Sequence, residues 1–117
     1  MRVIEFSRND AQPIESFASN SASSVHLADG RGEMHVYCIY FGPNGSIGEH
    51  PTGFCQLFLV VDGSGWVAGA DGSRIALTAG QGAIFENGER HSKGSEVGMT
   101  ALMVQVSTLE PLTQIGR

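Results

Sequence analysis

Apolar residues along this chain gather in short runs separated by polar clusters that carry glycine. That is the pattern of many short strands rather than of helices. The runs are Met34–Phe41, Phe54–Val61, Trp66–Ala70, Arg74–Leu77, Ala83–Phe85 and Val97–Val106. Turn signals fall between them at Gly30-Arg31-Gly32, Gly42-Pro43-Asn44-Gly45, Asp62-Gly63-Ser64-Gly65, Asp71-Gly72, Gly80-Gln81-Gly82 and Asn87-Gly88. No window shows a long helical period flanked by caps. Asp71-Gly72 predicts a tight hairpin between 66–70 and 74–77, because both central positions of such a turn want φ > 0. Val3–Phe6 and Ser24–Ala28 read as edge strands, with a serine-rich loop through Ser19-Asn20-Ser21 between them. The stretch after Ser107, which carries Pro111, reads as a loosely ordered tail. The expected fold class is all-β, a sandwich or barrel.

The run Phe54–Val61 is the most informative. Alternation puts Phe54, Gln56, Phe58 and Val60 on one face and Cys55, Leu57, Leu59 and Val61 on the other. Both faces are apolar apart from Gln56, so both are expected to be covered. In a small barrel one face lines the interior. The other needs a second sheet, a terminal segment or another subunit, which points to a homodimer or to a cover from within the chain. Gln56 needs partners, because an unpaired buried polar group costs about 1–3 kcal/mol. Strand-like alternation upstream places His50, Thr52, Phe54 and Gln56 in one inward row. His91 follows the Asn87-Gly88 turn.

Composition narrows the class. With 117 residues the chain fits one domain, residues 1–117, and can bury a core without disulfides. The 16 glycines against 4 prolines suit tight turns rather than a disordered linker. A net charge of −5, from 7 basic and 12 acidic residues with no basic cluster, argues against nucleic-acid and membrane-surface partners. Cys38 and Cys55 sit inside apolar runs and do not make a disulfide framework. The N-terminus lacks the apolar core of a signal peptide, and no stretch approaches a membrane span. A cytoplasmic protein with reduced thiols is the expectation.

The stretch Gly45-Ser46-Ile47-Gly48-Glu49-His50-Pro51-Thr52-Gly53-Phe54-Cys55-Gln56, leading into Leu57–Val61 and Asp62-Gly63-Ser64-Gly65, resembles the first motif of the cupin superfamily. His50 then stands at that motif's first histidine, Thr52 at its second, and Gln56 at its glutamate. Gly80-Gln81-Gly82-Ala83-Ile84-Phe85-Glu86-Asn87-Gly88-Glu89-Arg90-His91 resembles the second motif, with Gly80, Gly88 and His91 in place. Glu86 stands where that motif has proline, and Ser95 where it has asparagine. The resemblance covers roughly residues 33–106, leaving 1–32 as N-terminal strands and loop and 107–117 as a tail. It implies a jelly-roll barrel, also described as a double-stranded β-helix.

The resemblance also implies a pocket around His50, Gln56 and His91, lined by Thr52, Phe54, Phe58 and Phe85. The metal set usual in the superfamily is three histidines and one glutamate. This chain retains His50 and His91, with Gln56 offering only a neutral carbonyl. The implied cofactor is a divalent transition metal (iron, manganese, nickel or zinc), or none. A ferrous facial site needs a carboxylate that is missing here. Glu49 lies on the wrong face by parity, and Glu86 and Glu89 lie by a turn. His50 and His91 are the candidate catalytic residues, as metal ligands or as general bases near neutral pH. His26, His35, Tyr37, Tyr40, Trp66 and Arg90 read as structural or solvated, Cys55 faces away from the Gln56 row, and Glu89 is a weak candidate to orient His91. Two functions follow: a metal-dependent enzyme of dioxygenase, isomerase or lyase type acting on a small molecule, or a metal-free module that binds a small ligand. Fold alone does not choose between them.

Overall fold

The computed structural model describes residues 1–111. Its described elements are almost entirely strands: β1 (Arg2–Glu5), β2 (Gln12–Pro13), β3 (Ser23–Ser24), β4 (Ala28–Phe41), β5 (Gly45–Pro51), β6 (Cys55–Ala68), β7 (Arg74–Thr78), β8 (Gln81–Phe85), β9 (Arg90–Ser95) and β10 (Met99–Pro111). A single 3-10 turn, Arg8–Asp10, follows β1. No helix among the described residues is long and apolar enough to cross a membrane.

One wall of the barrel runs β1-β8-β6-β10-β4, all antiparallel. The opposite wall is built from β5, β9, the second half of β6, and β7. The strand β6 belongs to both walls. Its first half pairs with β8 and β10, and beyond Asp62 it pairs with β7 and β9. The sequence reads Asp62–Gly65 as a turn, but the chain continues as strand through it. A register shift opposite Thr100/Ala101 and the positive φ of Gly63 bend the strand and carry it across the barrel corner. This is the jelly-roll barrel expected from the resemblance.

Other expectations change at their edges. The hairpin at Asp71-Gly72 forms, with Ala68 opposite Arg74, but its loop is longer than a two-residue turn. Gly72 N–H donates to Gly69 O, Asp71 Oδ1 accepts from Ser73 N–H, and only Gly72 takes positive φ. A turn closed by one left-handed glycine therefore replaces one with two left-handed positions. The strand expected at Ser24–Ala28 is instead a two-residue ladder, β2 with β3, and Ala28 already belongs to β4. The tail is ordered through Pro111, because β10 pairs with β4 as far as Pro111↔Ala28. The rest of that expected tail, 112–117, lies outside the described residues. Residues 45–51 and 90–95 form a ladder where the sequence offered no strong β run.

The interior is filled by Phe41, Phe58, Val60, Val67, Leu77, Ala83, Phe85, Met99, Ala101 and Met103. Ile4, Leu57 and Ile84 make a second cluster on the outer face of the first wall, joined by Leu59, Val104 and Leu109. Part of the second apolar face of β6 is thus covered from within, by β1 and its neighbours.

Candidate functional site

Strand register places the polar residues. His50 on β5 lies directly opposite His91 on β9, after a register shift between Ile47 and His50. Their rings meet edge to face with centroids 4.8 Å apart. His50 is exposed, and its Nδ1 lies 2.7 Å from Gly48 O, to which it donates. His91 is 0% exposed, with Phe85 packed 4.4 Å away. The two histidines singled out in the sequence are therefore neighbours, one at the mouth and one behind it.

On the facing wall, the ladder aligns His35, Gln105, Gln56 and Phe85 in one row across four strands. Gln56 is 3% exposed, and its Oε1 has no hydrogen-bond partner. Thr52 and Phe54 do not continue this row. β5 ends at Pro51 and β6 begins at Cys55, so alternation breaks between them. Thr52 is buried, and its hydroxyl donates to Glu86 O at 2.6 Å, pinning the 86–89 turn. Phe54 packs edge-on against His35 at 5.4 Å, on the β4 side. Phe58 and Phe85 do line the interior.

A buried residue that sequence reasoning missed is Lys93. Within β9, alternation turns His91, Lys93 and Ser95 inward, and all three are buried. Lys93 is 1% exposed, with Nζ 3.1 Å from His91 Nδ1 and about 5 Å above two phenyl rings, 5.1 Å from the Phe58 centroid and 5.0 Å from that of Phe85. Among the described residues it has no carboxylate partner. Burial pushes its pKa down to about 7. Burial, then the charges of Lys93 and His50, pushes the His91 pKa down to about 3. His91 is thus a neutral imidazole at pH 7, in polar contact with the Lys93 amine. The signal was present: once His91 is inward, parity makes Lys93 inward too.

The nearby carboxylates are engaged elsewhere. Glu49 pairs with Arg90 at 3.0 Å on the exposed face. Glu89 accepts from the Glu86 N–H and pairs with the N-terminal ammonium, so it holds the turn and the chain start rather than His91. Cys55 faces out, with Sγ 3.7 Å from Ser107 O. Ser95, at the second motif's asparagine position, donates to Ser64 O at 2.6 Å and accepts from Gly98 N–H, tying β9 to the β6 corner.

This donor set does not fit the divalent metal that the fold family implies. The implied ligand positions offer two imidazoles, His50 and His91, the neutral amide of Gln56 and no carboxylate, while the third imidazole of the mouth, His35, is engaged by Glu33 at 2.6 Å and the amine of Lys93 lies against His91. Among the described residues no three histidine, cysteine or acidic side chains cluster as a metal would need.

An antiparallel jelly roll with a polar mouth over an aromatic interior defines a small cupin. The chain belongs to the AraC-like ligand binding domain family, whose profile matches residues 33–111. Solved structures agree on the fold. A cupin superfamily protein from Desulfitobacterium hafniense matches with a TM-score of 0.60 at 12% identity, covering 92% of this chain and 100% of that one. An RmlC-like cupin from Shewanella frigidimarina matches with a TM-score of 0.60 at 22% identity, covering 65% and 68%. A predicted oxalate decarboxylase from Thermotoga maritima matches with a TM-score of 0.57 at 21% identity, covering 62% and 65%. No curated protein matches the chain.

Proposed function

We propose that this chain is a metal-free module that binds a small organic molecule at the barrel mouth ringed by His35, Gln105, Gln56, His50 and His91. The observation that carries the reading is a pair of buried polar groups, one a cation, Lys93, without a counter-charge among the described residues, and the other an acceptor, Gln56 Oε1, without a donor. Each costs free energy alone, and each would gain a partner from a ligand. Membership of a ligand-binding family supports the same reading.

The competing reading is a metal-dependent enzyme with His50, His91 and Gln56 as ligands. Elemental analysis of untagged protein separates the two. The expected result is substoichiometric iron, manganese, nickel and zinc, with no rise in melting temperature on adding these ions. A stoichiometric metal that disappears in His50→Ala and His91→Ala would overturn the proposal.

The second part of the proposal is a homodimer in a reducing, cytoplasmic setting. Its support is β4, an edge strand whose outer face shows Met34, Val36 and Tyr40 at 60%, 57% and 76% exposure. A long apolar edge of this kind invites pairing with another strand, and here the proposed occupant is a second copy.

A further inference from the structure

We infer that the ligand is a small hydroxycarboxylate, its carboxylate accepting from Lys93 and its hydroxyl donating to Gln56 Oε1. This rests on the ligand-binding reading above and gives it a chemical class. The cation without a counter-charge and the acceptor without a donor set complementary demands. Lys93 offers donors and positive charge, and among the described residues its polar contact is a neutral imidazole. A neutral polyol would leave that charge unpaired, whereas a carboxylate pairs it through a charge-assisted hydrogen bond. Gln56 Oε1 only accepts, so a carboxylate by itself would leave it unsatisfied, and a hydroxyl supplies the missing donor.

Both groups adjoin Phe85. Gln56 is its ladder neighbour, and Lys93 lies over its ring. This shared neighbour puts the two groups in one part of the interior, where the proposed ligand would meet both. Among the described residues the site offers one flexible cation and no arginine fork, which suits a monoanion better than a phosphate dianion. The exposed His50, whose ring meets that of buried His91, marks the side from which the proposed ligand would enter.

The test is calorimetric titration of the full chain with lactate, 3-hydroxybutyrate and mandelate, against lactamide and mandelamide, and against propionate and phenylacetate. At least one hydroxy acid is expected to bind more than about tenfold tighter than its amide, a difference of about 1.4 kcal/mol. It should also bind several-fold tighter than its deoxy analogue. Lys93→Met should remove the preference for acid over amide while melting no lower than the parent, which shows that the barrel persists. Gln56→Leu should remove only the preference for the hydroxyl. Acids and amides binding alike, or a Lys93→Met variant that keeps the acid preference, would refute the carboxylate class while leaving a ligand-binding module. Binding by none of the acids refutes it too. The wider reading fails with it only if neutral probes such as glucose and sorbitol also leave the melting temperature unchanged.

Discussion

Lys93 is the residue on which the site turns, and its cost is measurable. The folded chain releases the Lys93 proton near pH 7, while an unfolded lysine holds it to 10.5. Between those values the unfolded chain binds the extra proton, so this group makes stability rise as pH rises from 7 toward 10.5. Below about pH 7 both states are charged and the burial penalty is complete. Lys93→Met removes the penalty and leaves an apolar chain of similar length among Phe58 and Phe85. Urea denaturation should find the variant more stable at pH 7 by about 1–4 kcal/mol, the range for replacing buried charge with packed hydrophobe. That advantage should shrink by pH 10. An advantage independent of pH would show that the lysine is not buried as a strained cation. His91 acts in the acid range with the same sign: stability falls as pH drops from 6.5 toward 3, because only the unfolded imidazole takes a proton there. Gln56→Leu should likewise stabilise the ligand-free protein, by about 1 kcal/mol, since it removes an acceptor that has no donor.

At the scale of elements, the strands with strong apolar alternation were legible from sequence and the corners were not. Phe54–Val61 and Trp66–Ala70 look like two strands because Asp62-Gly63-Ser64-Gly65 carries every mark of a turn. Those glycines serve a bend within one strand. A Cβ on Gly65 would collide with Gly94 O and the Met99 side chain, and one on Gly94 would lie 2.5 Å from the Trp66 ring. These two positions let β6 and β9 approach closely at the corner, which holds β9 and so Lys93 in place. Gly65→Ala and Gly94→Ala should each destabilise by about 1–3 kcal/mol in chemical denaturation, as overpacked positions do. A variant as stable as the parent would mean that the corner has slack. The candidate site divides in the same way. His50 and His91 were found because motif spacing fixes their strands. Gln105 and His35 were not singled out as site residues, because their row with Gln56 depends on the register of three strands distant in sequence. β9 lacked a β signal altogether: Arg-His-Ser-Lys-Gly-Ser is polar and derives its strand conformation from ladders with β5 and β6.

For the whole molecule, the two walls are not equally protected. β1 closes one edge of the first wall and packs Ile4 against Leu57 and Ile84. The other edge is β4, which among the described residues pairs only with β10 and leaves Met34, Val36 and Tyr40 in solvent. Leu102 and Val61 extend the same outer apolar face across β10 and β6. Edge strands that remain single in solution are usually short, charged or bulged, and the Met34–Phe41 half of β4 carries no lysine, arginine, aspartate or glutamate. Light scattering at micromolar concentration should therefore give twice the 12.4 kDa chain mass. The melting temperature should rise with protein concentration, as for any assembly that dissociates on unfolding. Val36→Glu combined with Tyr40→Glu places two carboxylates on that edge and should give a folded monomer whose melting temperature no longer depends on concentration. His35 belongs to the opposite face of the same strand, in the row with Gln105 and Gln56, so a partner docked on β4 would stiffen one side of the proposed binding site. The monomeric variant should accordingly bind the best hydroxy acid more weakly than the parent, and equal affinity in the two would show that the edge and the mouth are uncoupled.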